Sequence, residues 1–262
     1  MAGESPRRTG HRVFLSAQWR DLVMLNYEVD AHLLESYLPP GTQLDTFEGR
    51  AFVSLVGFRF LETKLFGFAT VPFHVNFDEV NLRFYVRRLK NGEIRRGVVF
   101  IREVVPRAAI ALVARIVYGE SYSCHPMRHS VHLSPMGGSA RYQWRLAGRW
   151  CEIEAHASGA PAQTAEGSLA QFITGHYWGY VPRRDGCLEY QVSHAAWRVW
   201  TASAAHFRGD ADSLYGPQLA AVVRRPPDSA FVADGSPVVV FRPRRVAERG
   251  GDDQWAPPAL WI

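Results

Sequence analysis

The dipeptide Asn91-Gly92 is the feature that most limits what this chain can become. It lies between two runs of strand-forming residues, Val75–Arg87 and Gly97–Val105. Asn-Gly accepts the positive φ angles of a two-residue type I′ turn, whose twist matches that of the flanking strands. The two runs are therefore predicted to form an antiparallel hairpin. Similar turn signals recur. Glu48-Gly49 follows a short strand at Leu44–Phe47, Gly148-Arg149 separates Ala140–Ala147 from Arg149–Ser158, and Arg183–Gly186 separates Tyr177–Val181 from Leu188–Val192. Asp234-Gly235 separates Ser229–Ala233 from Pro237–Arg242, and Gly137-Gly138 reads as a turn. Ala17–Val29, Ala51–Phe60, Ser121–His132 and Ala195–Phe207 read as further strands, Ala51–Phe60 being apolar enough for burial on both faces.

Helix signals are few. Asp30 stands at an N-cap position before Ala31–Leu38, which Pro39-Pro40-Gly41 ends. Pro106 opens a helix running to about Tyr118, with Gly119 beyond it. Ser168–Gly175 reads as a short helix or turn, and Leu214–Val222 as a short helix or strand. Many short strands and few helices describe a β-barrel or sandwich with helices at its edge. The βαβ repeat of a doubly wound sheet does not recur. With 262 residues, 47% hydrophobic, the chain can bury a sizeable core as one domain over residues 12–247, with 1–11 and 248–262 as polar tails.

The net charge of +5 comes almost entirely from arginine, since Lys64 and Lys90 are the only lysines. The arginines are spread along the chain, with no basic helix or stripe, which argues against nucleic acid as a partner and for a modest pull on acidic ligands. The longest apolar run, Ala108–Val117, is interrupted by Arg115, so no membrane partner is expected. Cys124, Cys151 and Cys187 are odd in number and widely spaced, which fits reduced thiols in a cytoplasmic protein. Homo-oligomerisation stays open. Cys124, His125, His129 and His132 have a metal-like spacing, but in a strand His132 faces away from His125 and His129, and no metal is expected. There is no GxSxG, P-loop or GxGxxG motif, so no cofactor is expected.

The chemistry concentrates on one strand. Side chains alternate across a strand, so Glu79, Asn81, Arg83 and Tyr85 share one face, and Val80, Leu82, Phe84 and Val86 the other. A carboxylate, an amide, a guanidinium and a phenol in a row make either a solvated face or a pocket wall. On the return strand, Arg102-Glu103 precedes Pro106-Arg107 at a helix start, where anions are favoured. Leu61–Pro72, with Phe66 and Phe68, reads as a loop that either covers a pocket or packs on the surface. His176 and His194 are isolated in sequence.

Several runs resemble the YqjF-like family of uncharacterised bacterial proteins. They are Trp19–Asp30, then Leu38-Pro39-Pro40-Gly41 and Phe47–Ala51, the strand bearing Glu79, Asn81, Arg83 and Tyr85-Val86, Phe172–Thr174 through Tyr177, and Val192–Trp197. The likeness spans about Phe14 to Val246 and departs from the pattern at Gly175, where an acidic residue would be expected. That family is similar to the acetoacetate decarboxylase-like superfamily. The resemblance implies a β-rich α+β fold, a closed, mostly antiparallel acetoacetate decarboxylase-like β-barrel with a central pocket and a few flanking helices. It favours the pocket-wall reading. It raises Glu79, Asn81 and Arg83 to a pocket wall. With the residue reading above, the candidate acid/base is Glu79 and the candidate ligand contacts are Asn81, Arg83, Tyr85, Arg102, Glu103, Arg107 and His125. Arg107 stands where the decarboxylases carry a Schiff-base lysine, and an arginine, always protonated, cannot form one. The expected function is binding of a small, anionic organic acid or oxo compound. The alternatives are a non-covalent decarboxylase, hydratase or isomerase using Glu79, and a filled barrel with a structural or partner-binding role.

Overall fold

The computed structural model describes residues 12–70, 75–106, 121–184 and 186–247. Its elements run β1 (Val13–Val29), α1 (His32–Glu35), β2 (Gln43–Leu44), β3 (Ala51–Leu65), β4 (Phe77–Lys90), β5 (Glu93–Val105), β6 (Tyr122–Cys124), β7 (Met127–Ser134) and β8 (Gly137–Leu146). They continue β9 (Arg149–Ser158), β10 (Ala162–Gln163), α2 (Leu169–Thr174), β11 (Trp178–Arg183), β12 (Gly186–His194), β13 (Arg198–Arg208), α3 (Asp212–Arg224), β14 (Ser229–Phe241) and β15 (Arg244–Ala247). The β-rich class expected from the sequence is the class observed.

The Asn91-Gly92 hairpin forms as predicted, with φ of 50° and 77° at its two residues and Lys90 paired to Glu93. From this hairpin the pairing spreads both ways in the order β12-β11-β5-β4-β3-β1-β14. Three further pairs, Val192↔Val240, Ser193↔Val239 and His194↔Val238, join β12 back to β14, so seven strands close into a ring. Every contact in the ring is antiparallel except β5–β11, a short parallel contact at Gly97 and Val98. Gly97 permits it: a Cβ there would meet the Trp178 carbonyl oxygen at 2.7 Å. From β14 the sheet continues through β13, β9, β8 and β7. This extension folds back over β1, β3 and β4.

The ring therefore has two apolar faces. Its outer face contributes Val23, Leu25, Val53, Leu55, Val80, Leu82 and Phe84, which bury against Tyr142, Trp144 and Ile153 of the extension and Leu214 and Leu219 of α3. Its inner face contributes Leu22, Met24, Phe52, Phe58, Phe60 and Phe77. With both faces covered, β3 is buried through almost its whole first ten residues, which explains its continuous apolar run.

Several sequence expectations need correction. Leu61–Pro72 is not a loop throughout: β3 continues to Leu65, a turn follows at Phe66-Gly67, and residues 71–74 lie outside the described set, as does the helix expected from Pro106. Asp234-Gly235 is not a hairpin turn. β14 runs straight through it, paired to β1 from Asn26↔Ser229 to Val13↔Phe241. The strand expected over Ser121–His132 is divided into β6 and β7, parted by His125-Pro126. Gly137-Gly138 opens β8, the turn being Pro135-Met136. Helix α1 is one turn, 32–35, with the Asp30 carboxylate accepting the His32 N–H. Among the described residues no helix is long and apolar enough to cross a membrane.

Candidate functional site

The ring encloses a cavity of about 190 Å³. The alternation read from the sequence sets its wall. Glu79, Asn81 and Arg83 of β4 face inward while Val80, Leu82 and Phe84 pack outward. The three polar residues are nearly sealed, at 3%, 1% and 9% exposure. Asn81 is paired across the ladder with Glu103 of β5, which brings a second carboxylate to the cavity. Asn81 Nδ2 donates to Glu79 Oε1 at 2.9 Å, orienting that carboxylate.

Arg83 is the unusual member. Its guanidinium carbon lies 5.9 Å from the Tyr85 ring centroid, its Nε is buried without a hydrogen-bond partner, and it forms no ion pair among the described residues. Neighbouring arginines are committed elsewhere: Arg95 pairs with Glu189 at 2.7 Å and Arg96 with Asp45 at 2.8 Å. A buried cation without an anion costs several kcal/mol (roughly), which an anionic ligand would offset.

Two histidines complete the polar end. His176, in the segment between α2 and β11, has its Nε2 3.0 Å from Asp45 Oδ2, each side chain being 1% exposed. Burial pushes the His176 pKa down against the pull of Asp45, and the charges of Arg96 and Arg83 add to the fall. Burial would raise the Asp45 carboxyl, but the His176 hydrogen bond and the Arg96 charge hold it below its ordinary value. We take His176 as a neutral imidazole donating from Nε2 to an ionised Asp45. His194, at the end of β12, donates from Nδ1 to the Ala195 carbonyl at 2.8 Å, and burial, with the Arg83 charge adding, pushes its pKa down to about 4. Both imidazoles are therefore neutral near pH 7, and neither contributes charge to the cavity.

The remaining wall is apolar and mostly aromatic, with Trp19, Phe58, Phe60, Phe77, Trp178 and Trp197 among its members. Neither Lys64 nor Lys90 lines it. Lys64 is exposed, and Lys90 sits beside the Asn91 turn. The other residues expected at the site fall outside the cavity wall. Tyr85 lies beneath it, its hydroxyl hydrogen-bonded to Ser54 Oγ at 2.6 Å. Arg102 points to the outer face and donates from Nε to the Leu214 carbonyl at 3.3 Å, because its neighbour Glu103 takes the inner position. His125 is half-buried between β6 and β7, away from the cavity, and that partial burial lowers its pKa. Arg107 lies outside the described residues. His129 is engaged by Asp78 at 2.8 Å on the outer side, separate from Cys124 and His132. Glu152, Glu154 and His206 do bring donor atoms within 4.8 Å of one another. Glu152 there is already hydrogen-bonded by Gln143 at 2.8 Å and paired with His206 and Arg208, so the charge is compensated within the protein.

Comparison with known proteins gives a family and a fold. The sequence matches DUF2071, described as an uncharacterized conserved protein, over residues 16–237. The uncharacterized protein YqjF of Bacillus subtilis (strain 168) is 24% identical over 190 residues, 71% of this chain and 75% of that protein. Among solved structures, acetoacetate decarboxylase from Legionella pneumophila is similar with a TM-score of 0.60 at 14% identity, covering 89% of this chain and 87% of that one. The enduracididine biosynthesis enzyme MppR complexed with pyruvate is similar with a TM-score of 0.61 at 14% identity, covering 89% and 91%. At these identities the solved structures speak to fold alone, which is the acetoacetate decarboxylase-like fold implied by the sequence motifs.

Proposed function

The chain belongs to the DUF2071 family of uncharacterized conserved proteins, and from that starting point we propose that its ring binds a small organic acid or oxo compound, anchored by Arg83. The observation that carries this reading is the buried Arg83 guanidinium, without an ion pair among the described residues, facing the cavity. A guanidinium is always charged and presents a planar fork matching a carboxylate. The surrounding groups suit such a guest. Neutral His176 and His194, each donating its one N–H within the protein, add no competing charge to the cavity. The fold neighbour MppR complexed with pyruvate, a small oxo acid, shows that this architecture can house such a compound in another protein. Chemistry through a lysine Schiff base has no residue to perform it here.

A second reading rests on Glu79. It stands four residues from Arg83 on the same wall, 3% exposed and oriented by Asn81, so it is placed to move a proton on an anchored substrate. Under this reading the protein is a non-covalent decarboxylase, hydratase or isomerase.

The test is a thermal-shift panel of small carboxylates, oxo acids and neutral analogues on wild type and Arg83→Met. At one hundred times Kd a ligand adds about 2.7 kcal/mol of stability, a readily seen shift. Wild type is expected to respond to acids and not to their neutral analogues. Arg83→Met is expected to lose that response while melting at or above the unliganded wild type, since removing an unpaired buried charge relieves its desolvation. No acid shifting the wild type would overturn the reading. A responding acid then serves as substrate in a turnover assay against Glu79→Gln.

A further inference from the structure

We infer that the ligand of this cavity is an arylalkanoate-type acid, a carboxylate carried on a single aromatic or similarly bulky apolar body, rather than a bare three- or four-carbon acid. This rests on the reading that Arg83 anchors an anion. The cavity wall is uneven: its clustered rings gather around β1 and β3, with Glu79 across the ladder from Phe58. Phe60 stacks on Phe77 with centroids 4.5 Å apart and planes 13° apart, Phe58 lies 5.1 Å from Phe60, and Trp19 lies 5.4 Å from Phe58. Trp197 continues this wall, 6.3 Å from Trp19. His194 stacks on Trp197 at 4.4 Å and 20° and lies within the field of Arg83.

These rings line the cavity instead of filling it. An apolar space of about 150 Å³ accepts benzene, and this cavity, at about 190 Å³, has room for one ring with a short acidic arm. A three-carbon acid seated on Arg83 would leave the aromatic wall facing water and bury none of it. The strand geometry sets the arm. Phe58 is paired with Glu79, four residues before Arg83 on the same face. Four residues span about 13 Å of strand, and the arginine side chain bridges part of that. A ring against Phe58 and a carboxylate on Arg83 are therefore separated by a short chain, not directly bonded.

Calorimetric titration with three matched probes tests this. They are 3-phenylpropanoate, propanoate (the same head without the ring) and 3-phenylpropan-1-ol (the same body without the charge). On wild type, 3-phenylpropanoate is expected to bind at least about tenfold tighter than either, the usual range for gaining an apolar body or an ionic anchor. Leu15→Trp, which crowds the apolar side of the cavity from a half-buried position on β1, is expected to erase the advantage over propanoate while leaving propanoate binding in place. Propanoate matching 3-phenylpropanoate on wild type overturns the aryl inference and leaves the anion reading standing. The alcohol matching the acid, with Arg83→Met neutral, overturns the anion reading itself. Failure of all three on folded protein overturns both.

Discussion

Burying a neutral imidazole makes a fold sensitive to mild acid, and His194 gives this chain that property. Its pKa is about 4 in the fold against an ordinary 6.5, so the unfolded chain binds a proton there that the folded chain refuses. Its contribution is fully present above pH 6.5 and is lost as the pH falls from 6.5 towards 4, amounting to roughly 3 kcal/mol over that window. His176 is shifted in the same direction, so some slope remains without His194. Urea unfolding measured from pH 7.5 to 4.5 is expected to show a shallower fall for His194→Gln than for wild type, and equal slopes would refute this assignment. Neither histidine was legible as a site residue in the sequence. Glu79, Asn81 and Arg83 were, because period-two alternation is a local property. His176 and His194 reach the cavity from the end of a helix and the end of a strand, and Asp45, the partner of His176, lies 131 residues from it. The motif stretches that flank them pointed to the right segments without singling out the side chains. Arg102 was misplaced for the opposite reason. It adjoins Glu103 in sequence, and adjacent strand residues face opposite sides.

Elements show the same division between local and distant information. Asn91-Gly92 and Asp234-Gly235 carry the same turn chemistry, yet only the first is a hairpin. The difference is that residues on both sides of Gly235 find one partner strand, β1, across its full length. Gly235, at φ 79°, there crosses Arg20, next to a break in the pairing of β1 with β3 where Asp21 also takes a positive φ, 56°. Asp21 is held by Arg59, and its carbonyl accepts the Tyr142 hydroxyl at 2.8 Å. These local irregularities let two long strands bend around the ring. A Cβ at Gly235 would come 2.0 Å from the Trp19 carbonyl oxygen. Gly235→Ala is therefore expected to cost at least about 2 kcal/mol, combining positive-φ strain with a backbone clash. Equilibrium urea denaturation should show a lower midpoint with an unchanged slope. A midpoint equal to wild type would mean that the backbone around Gly235 and Trp19 adjusts freely.

For the molecule as a whole, the cavity draws wall residues from all seven ring strands: Trp19, Phe58, Arg83, Glu103, Trp178, His194 and Val240 come from, or directly adjoin, β1, β3, β4, β5, β11, β12 and β14 in turn. A ligand in this position would lie among all seven strands, and its site is complete only when the β12–β14 closure is made. Binding energy must then appear as resistance to opening the ring anywhere, not as local stiffening at one loop. The β7–β9 extension supplies no cavity residue and packs on the outside of the ring. It can open without releasing the ligand, provided the ring stays closed. Native-state hydrogen exchange, with an acid identified by the thermal panel held at one hundred times its Kd, should therefore slow the slowest amides of all seven ring strands by a common factor of about 100. Amides of β7 that exchange by opening of the extension alone should keep their unliganded rates. Protection confined to β4 and β5 would mean the ligand sits on a surface of that hairpin and not inside the ring. Equal protection of β7 and the ring would mean that extension and ring unfold only together, as one cooperative unit.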